Sequence, residues 1–425
     1  MQKKIKNRTI FSEIWKYIDD DCIILLNGPR QVGKTTLLKM IEEKLILEKN
    51  ISKNQILWFD LEKSNHLNIW SKQTIAIDNL PKDSTKKYYL FIDEFQQAEN
   101  IGSTLKVIHD HYPHIKTIIT GSASWYLNIN ESMAGRKIVI PVFPLSFVEF
   151  LEWQSVENNN KLEFFKLFSK NITTAPTDAI QTINEQFQKF INWGGYPKIV
   201  LEQDNDQKIK LLNELIDSYL TRDIKIWSYR ANILEVKKLL SLLAGQIGNT
   251  LSIDQLSNNS GLGRELLSNR LDLLQNTFIL KLTPPYFTNK IKEITKSPKI
   301  YLIDSGLRNS LLNTFLIQTK TTEFGHVVEN IAMTELEKNK RITDQLHFWR
   351  TVRQQEVDII LKNGNKTTPI EIKGGNQKTI PSGLRSFIRA YQPKEAYVLN
   401  WSIIKDEEYK NCQVHFRPVW FIANI

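Results

Sequence analysis

The chain has 425 residues, 41% hydrophobic and 24% charged, with a formal net charge of +10; this is an ordinary globular composition, and at about 150 residues per domain it is too long for one core. Two cysteines, Cys22 and Cys412, exclude a disulfide framework and a cysteine-based zinc site, and no run reaches the roughly 20 apolar residues of a membrane span. The positive balance either suits a polyanion such as nucleic acid or reflects lysine-rich composition alone, and the basic start Met1–Lys6 lacks the apolar core of a signal peptide, so a cytoplasmic location with no membrane partner is expected.

Thr9 to Asp20 reads as a short amphipathic helix, with Ile10, Ile14 and Ile18 spaced by four. The apolar run Ile23–Leu26 then feeds Asn27-Gly28-Pro29-Arg30-Gln31-Val32-Gly33-Lys34-Thr35-Thr36, followed by a helical pattern through Leu37, Leu38, Met40 and Ile41. Strand, G-x-x-x-x-G-K-[ST] loop and helix together predict a nucleotide-phosphate site. The glycines let backbone N–H groups close on phosphate oxygens at a helix N-terminus. Lys34 is placed to reach the β- and γ-phosphates of ATP, and Thr35 to ligate Mg²⁺.

Gln55–Asp60 is a second apolar strand, and residues 64–87 are polar and mixed. Tyr88–Ile92 ends in Asp93-Glu94, a buried parallel strand with acids at the edge where ligands bind. Asp93 is assigned to Mg²⁺ and Glu94 to activation of the attacking water. The strand Lys116–Ser122 closes on small polar residues; Thr120 or Ser122 can face the γ-phosphate, or only end a strand.

With Met133-Ala134-Gly135-Arg136 and Pro144–Phe150 added, the chain resembles the AAA-type P-loop ATPases of bacteria and archaea that carry a C-terminal domain of nuclease-like fold. The resemblance covers nearly the whole chain. It implies a sensor role for Thr120–Ser122 and a γ-phosphate-sensing role for Arg136, from its own chain or a neighbouring subunit. A homo-oligomer is therefore one expectation. Pairing of Arg136 with a surface acid is the other reading.

Residues 151–190 are helix-rich, with Phe164, Phe165, Leu167 and Phe168, and a loop is expected at 173–178. Trp193-Gly194-Gly195-Tyr196-Pro197 matches a landmark of the same family and is expected to be a packed turn. Leu211–Ile226 is a helix in which Arg222 either reaches the nucleotide from a lid or sits on the surface beside Asp223. Residues 233–287 suggest a winged helix: Leu234–Ala244, a second helix capped by Ser252, a third over Arg264–Gln275, and a wing of Phe278–Leu282 against Tyr286-Phe287. Arg264, Asn269 and Arg270, with Lys281, Lys290, Lys292, Lys296 and Lys299, are the candidate DNA contacts.

The strand Lys299–Ile303 leads to a helix around Phe324–Lys338 that carries Glu329. Strands follow at Leu346–Arg350, Glu356–Leu361 and Thr368–Lys373, the last two joined by the turn Asn363-Gly364-Asn365. Glu371 and Lys373, two apart, share a face, with Asp358 on the neighbouring strand. This resembles a PD-(D/E)xK nuclease site, with Val357 in place of proline. Asp358 and Glu371, with Glu329, are the expected Mg²⁺ ligands, and Lys373 positions water or phosphate; Lys378, Arg385 and Arg389 either serve the same phosphates or solvate a helix.

The expected architecture is α/β throughout: an AAA-type P-loop core over 1–150, a helical lid over 151–230, a winged helix over 231–295, and a restriction-endonuclease-like domain over 296–425. Two functions follow. One is an ATP-hydrolysing enzyme whose nucleotide state gates a metal-dependent nuclease on DNA. The other is a nucleotide-dependent switch whose C-terminal domain binds DNA or a protein without cutting.

Overall fold

The computed structural model describes residues 6–99, 101–122, 133–154, 165, 172–174, 176–223, 232–287, 293, 296–317, 319 and 321–425. The chain divides into two compact units, Met1–Phe143 with Asn276–Phe278, and Pro144–Gln275 with Ile279–Ile425.

The first unit is an α/β fold on a five-stranded parallel sheet. Its strands are β1 (Ile23–Gly28), β2 (Ile56–Asp60), β3 (Tyr88–Asp93), β4 (Ile115–Ser122) and β5 (Lys137–Pro141), in the order β2-β3-β4-β1-β5. Every residue of β1 is buried, as a central strand covered on both faces requires. The helix expected over 9–20 is shorter, α1 (Ile10–Lys16), with Ile14 buried. α2 (Lys34–Lys49) turns Leu37, Leu38, Ile41 and Leu45 inward. The mixed stretch holds α3 (Ser64–Trp70) and α4 (Gln73–Asp78), and α5 (Ile101–His111) leads into β4. Leu25, Leu90, Ile92, Leu105 and Ile119 form one core with Trp70 and Phe95.

Because β1 and β3 run parallel, the loop after Gly28 and the acids ending β3 lie at the same edge of the sheet. Arg136 lies at the other. Its carbonyl accepts from Ile23 N at 2.8 Å, at the start of β1, and Lys137 pairs with Ile23.

In the second unit, α6 (Phe147–Gln154), α7 (Thr177–Trp193), α8 (Pro197–Leu201) and α9 (Asn205–Ser218) come first. A π-helical turn spans Tyr219–Asp223; the expected continuation to Ile226 and the Arg222 side chain lie outside the described residues, as do Phe164, Leu167 and Phe168. The three helices expected next are present as α10 (Ile233–Ala244), α11 (Ile253–Ser260) and α12 (Arg264–Asn276). Ser252 caps α11 by accepting from Gln255 N at 3.3 Å.

The strand partner differs from expectation. β6 (Leu280–Thr283) pairs antiparallel with β7 (Lys299–Leu302), not with Tyr286-Phe287. Pro284-Pro285 carries the chain away, and Tyr286 packs with Trp349, Phe387 and Ile388. The expected boundary at 295/296 therefore falls between two strands of one sheet. α13 (Ser305–Leu312) and α14 (Thr322–Asn339) follow.

The last sheet is mixed: β8 (Asp344–Arg350), β9 (Glu356–Asn363), β10 (Lys366–Ile372), β11 (Glu395–Asn400), β12 (Lys405–Tyr409) and β13 (Cys412–Pro418), ordered β12-β13-β11-β10-β9-β8. The Asn363–Asn365 turn joins β9 to β10 as an antiparallel hairpin, Lys366 opposite Asn363. β10 runs parallel to β11, a crossover supplied by α15 (Ser382–Tyr391), which buries Leu384, Phe387 and Ile388.

Candidate functional site

The phosphate loop leaves β1 at Gly28, where a Cβ would lie 2.1 Å from the Val142 carbonyl oxygen. Glycine is thus required there by the segment after β5 as well as by the loop. Gly33, at φ +98°, gives the left-handed step that only glycine takes at no cost and opens α2. Lys34 is buried, and its ammonium donates to the carbonyls of Gly28 at 3.0 Å and Pro29 at 2.9 Å. Those carbonyls hold the lysine over the loop that Pro29, Arg30, Gln31 and Val32 complete. Thr36, the third residue of α2, is exposed, and the Arg30 guanidinium lies 3.8 Å from the Glu62 carboxylate.

Asp93, at the end of β3, meets the segment that follows this loop. Thr35 Oγ1 donates to Asp93 Oδ2 at 2.7 Å. The Thr120 hydroxyl, from β4, donates to the other oxygen, Asp93 Oδ1. Burial pushes the Asp93 carboxyl up from its usual range, against the two hydroxyl donors that lower it. Glu94 sits in the left-handed region at φ 54°, a strained setting for a non-glycine residue and one that recurs at functional sites. Its amide donates to Thr120 Oγ1 at 3.2 Å, and Gln96 Nε2 donates to its carboxylate.

The donor set suits the group it would hold. Thr35 and Asp93 are hard oxygen donors in contact with one another, next to a lysine and backbone amides, as a Mg²⁺-nucleotide requires. Thr35 and Asp93 would hold the ion, whose chemistry is to neutralise phosphate charge, while Lys34 and the loop amides bind the phosphates.

Three further residues stand out. Thr120, one of two alternatives in the sequence, joins the Asp93 carboxylate to the Glu94 backbone amide; the Ser122 side chain lies outside the described residues. Gln96 and Arg8 carry no sequence signal. Arg8 is buried and donates to Val32 O at 2.7 Å and Phe143 O at 2.9 Å, tying the loop to the segment after β5. Arg136, by contrast, is not brought to the phosphate loop of its own chain. It makes a two-point ion pair with Asp110, Nε at 2.7 Å and Nη2 at 3.0 Å, at the edge where β1 begins.

The second unit assembles another charged cluster. The register Ile359 opposite Ile370 sets Asp358 across from Glu371. Asp358 Oδ2 accepts from Ile372 N at 2.8 Å, and Lys373 Nζ donates to Glu371 Oε1 at 2.7 Å. Glu371 Oε2 is buried with no hydrogen-bond donor. Glu329 is engaged elsewhere: its Oε1 accepts from Lys299 Nζ and from Tyr301 OH, both at 2.8 Å. Lys299 also contacts Glu356 and stands 3.8 Å from Asp358 Oδ1. Burial, then the Asp358 charge, pushes Glu371 up to about 8. Burial lifts Glu329 to about 7 against the pull of Lys299.

Glu329, Asp358 and Glu371 therefore do not form the expected three-carboxylate metal set. Among the described residues no three His, Cys, Asp or Glu side chains converge on a position able to hold a metal ion. The physical reason is Lys299, whose ammonium stands between Glu329 and Asp358.

The candidate DNA contacts fare unevenly. Arg270 is buried, Lys281 pairs with Glu337 at 3.0 Å and Arg264 with Asp254 at 2.8 Å. Lys290 and Lys292 lie outside the described residues. Asn269, Lys296, Lys378, Arg385 and Arg389 are exposed. The turn Trp193–Pro197 is packed: the buried Asp304 carboxylate accepts from Gly195 N at 2.8 Å and Leu307 N at 3.0 Å. No described helix is long and apolar enough to cross a membrane.

Comparison with known proteins agrees with the first unit. Residues 20–151 match a family model described as an AAA domain, so this stretch is AAA-like. Residues 184–317 and 324–417 match two models described as domains of unknown function, DUF8612 and DUF4143. An uncharacterized protein of Methanocaldococcus jannaschii is 27% identical over 351 residues, 81% of this chain and 73% of its own. One from Haemophilus influenzae is 23% identical over 383 residues, 87% of this chain and 86% of its own. Among solved structures, the Bacillus subtilis DNA clamp loader delta protein overlaps 63% of this chain and 88% of its own at 12% identity and a TM-score of 0.26. C. elegans PCH-2 overlaps 62% of this chain and 66% of its own at 17% identity and the same TM-score. Overlaps that slight carry no weight for function.

Proposed function

We propose that the protein binds and hydrolyses ATP with Mg²⁺ and works as a nucleotide-dependent switch, its C-terminal domain holding nucleic acid without cutting it. The observation that carries the ATPase reading is the contact of Thr35 with Asp93, with Lys34 over the loop and Glu94 held beside them. In this reading Lys34 and the loop from Gly28 to Thr36 bind phosphates, Asp93 and Thr35 hold the metal, and Glu94 activates water. The four-part division at 150, 230 and 295, with a winged helix in the third part, is kept as part of the proposal. The mixed sheet with its crossover helix is compatible with a restriction-endonuclease-like fold.

Exposed Lys378 and Arg385, following β10 and on α15, support a phosphate-backbone partner, for which DNA is the first candidate. A second reading, a metal-dependent nuclease gated by ATP, draws on one observation: Glu371 and Lys373 stand on one strand opposite Asp358. It needs a metal at acids already claimed by lysines, and we rank it second.

Phosphate release from ATP with and without Mg²⁺, for wild type and Lys34→Ala, tests the first part. Hydrolysis that persists undiminished in Lys34→Ala would sink the ATPase reading. Plasmid incubated with Mg²⁺ or Mn²⁺ tests the second; cutting abolished by Asp358→Ala would restore the nuclease.

A further inference from the structure

We propose that Lys299 is an internal cation filling the position a divalent metal would need in the C-terminal carboxylate cluster, so that the cluster takes up no metal ion. The functional consequence rests on the non-cleaving reading above; the geometry does not.

Lys299 opens β7, a strand of the small sheet with β6 rather than of the sheet that carries Asp358 and Glu371. Its side chain is 2% exposed, an unusual setting for a lysine, which is tolerated only when paired. The pairing is extensive. Glu329 from α14 lies at 2.8 Å, Glu356 from the start of β9 is in contact, and Asp358 from the same strand is at 3.8 Å. Tyr301, two residues on and so on the same face of β7, donates to the same Glu329 oxygen that Lys299 holds. One short strand thus presents an ammonium and a hydroxyl to three acids from two other elements.

The remaining oxygens are largely spoken for. Asp358 Oδ2 takes the Ile372 amide, Glu371 Oε1 takes Lys373, and the Glu356 carboxylate lies 3.5 Å from Arg350. Glu371 Oε2 is buried without a donor and Asp358 Oδ1 faces the Lys299 ammonium at 3.8 Å; oxygens so placed fall short of the six or more that such an ion takes. A divalent ion beside Asp358 would also stand within a few ångströms of the Lys299 ammonium in a water-poor interior, where like charges repel strongly. Glu329 and Asp358, which resemble metal ligands in sequence, are therefore the counter-charges of a buried lysine, and Glu371 is held by Lys373. Without a metal-bound water the domain lacks the nucleophile of a metal-dependent phosphodiester cut.

The test is Mn²⁺ binding to the full chain without nucleotide, read by the loss of the free-ion electron paramagnetic resonance signal. All variants carry Asp93→Asn to remove the ion site of the phosphate loop. The parent is expected to bind no Mn²⁺ at the cluster with a Kd below about 1 mM. Lys299→Met, shown by its melting curve to be folded, is expected to gain one ion per chain, at least about tenfold tighter than the parent, and to lose it again with Asp358→Asn. A parent that binds an ion abolished by Asp358→Asn overturns the proposal, and this arm decides alone if Lys299→Met fails to fold. A folded Lys299→Met that gains no ion overturns it too, because exclusion would then owe nothing to the lysine. Metal uptake by the parent without plasmid cutting would sink only the role given to Lys299, whereas cutting would sink the non-cleaving reading.

Discussion

The Thr35 hydroxyl donates to the Asp93 carboxylate at 2.7 Å, joining the first turn of α2 to the end of β3. Two residues 58 positions apart thus meet where the phosphate loop and the strand edge coincide. Asp93 is buried and its carboxyl is pushed up, chiefly by burial. A carboxyl raised in the folded state gives stability that is lost as pH rises through its folded pKa, so the ionised form of this acid is held in the fold at a cost. Asp93→Asn is expected to raise the melting temperature without nucleotide while lowering Mg²⁺-dependent turnover by about 10²–10³-fold. A variant that melts lower and hydrolyses normally would remove Asp93 from the site.

Glu94 separates binding from chemistry. Its left-handed backbone, the Thr120 contact to its amide and the Gln96 amide on its carboxylate all fix where that carboxylate lies. Glu94→Gln retains the shape and loses the base. Nucleotide affinity within about threefold of wild type with turnover down by about 10²–10⁴-fold is expected, the range for removal of a positioned acid–base group. Equilibrium binding of a fluorescent ATP analogue and phosphate release from the same preparation check it.

The phosphate loop and the Asp93-Glu94 edge were legible in the sequence because the first joins an apolar strand to a helical pattern and the second ends an apolar strand, so that periodicity and motif agree at each. The hairpin of Asp358 and Glu371 was legible for a similar reason: Asn363-Gly364 fixes the register, and register sets which side chains stand opposite. What escaped were contacts made across long separations by residues without a motif. Arg8 reaches Val32 and Phe143, and Lys299 reaches acids on α14 and β9; neither spacing nor residue type announces this. The pairing of β6 with β7 rather than with Tyr286-Phe287 escaped because a strand's partner depends on where its apolar residues are buried, and Tyr286 finds its burial beside Trp349 and Phe387.

The raised carboxyls of the second unit give a pH signature. Glu329 at about 7 and Glu371 at about 8 lie above the usual carboxylate value, near 4.3. The folded state then holds more protons than the unfolded chain between these limits, so stability falls as pH rises through that window. Urea midpoints measured from about pH 6 to about pH 9 are expected to decline, and Glu371→Gln to flatten the decline. A midpoint that stays flat across the same range would show these acids to be already ionised in the folded state.

Asp304 explains the Gly194-Gly195 turn. A Cβ on Gly194 would stand 2.2 Å from Asp304 Oδ1, and one on Gly195 2.2 Å from the Leu145 carbonyl oxygen. The turn is closed around a buried acid that accepts backbone N–H groups, and removing that acid leaves those donors without it. Asp304→Ala is expected to cost about 2–4 kcal/mol, read as a lower urea midpoint with ATP hydrolysis by the remaining folded protein retained. Unchanged stability with lost activity would instead make the turn a functional site.

Arg136 tests whether the ATP site is complete within one chain. Its two-point pairing holds the Asp110 carboxyl well below the usual range through hydrogen bonds from the Arg136 and His109 side chains, at the sheet edge opposite the phosphate loop. It has no route to the γ-phosphate of its own subunit in this arrangement. At low protein concentration Arg136→Ala is therefore expected to hydrolyse ATP within about twofold of wild type, since exposed charge changes away from a site have small effects. The oligomeric reading has a distinct signature: wild-type turnover per chain would rise with protein concentration, and the variant would fail to follow. A large loss in Arg136→Ala that is independent of concentration would mean that the segment before β5 rearranges to bring this arginine to its own nucleotide.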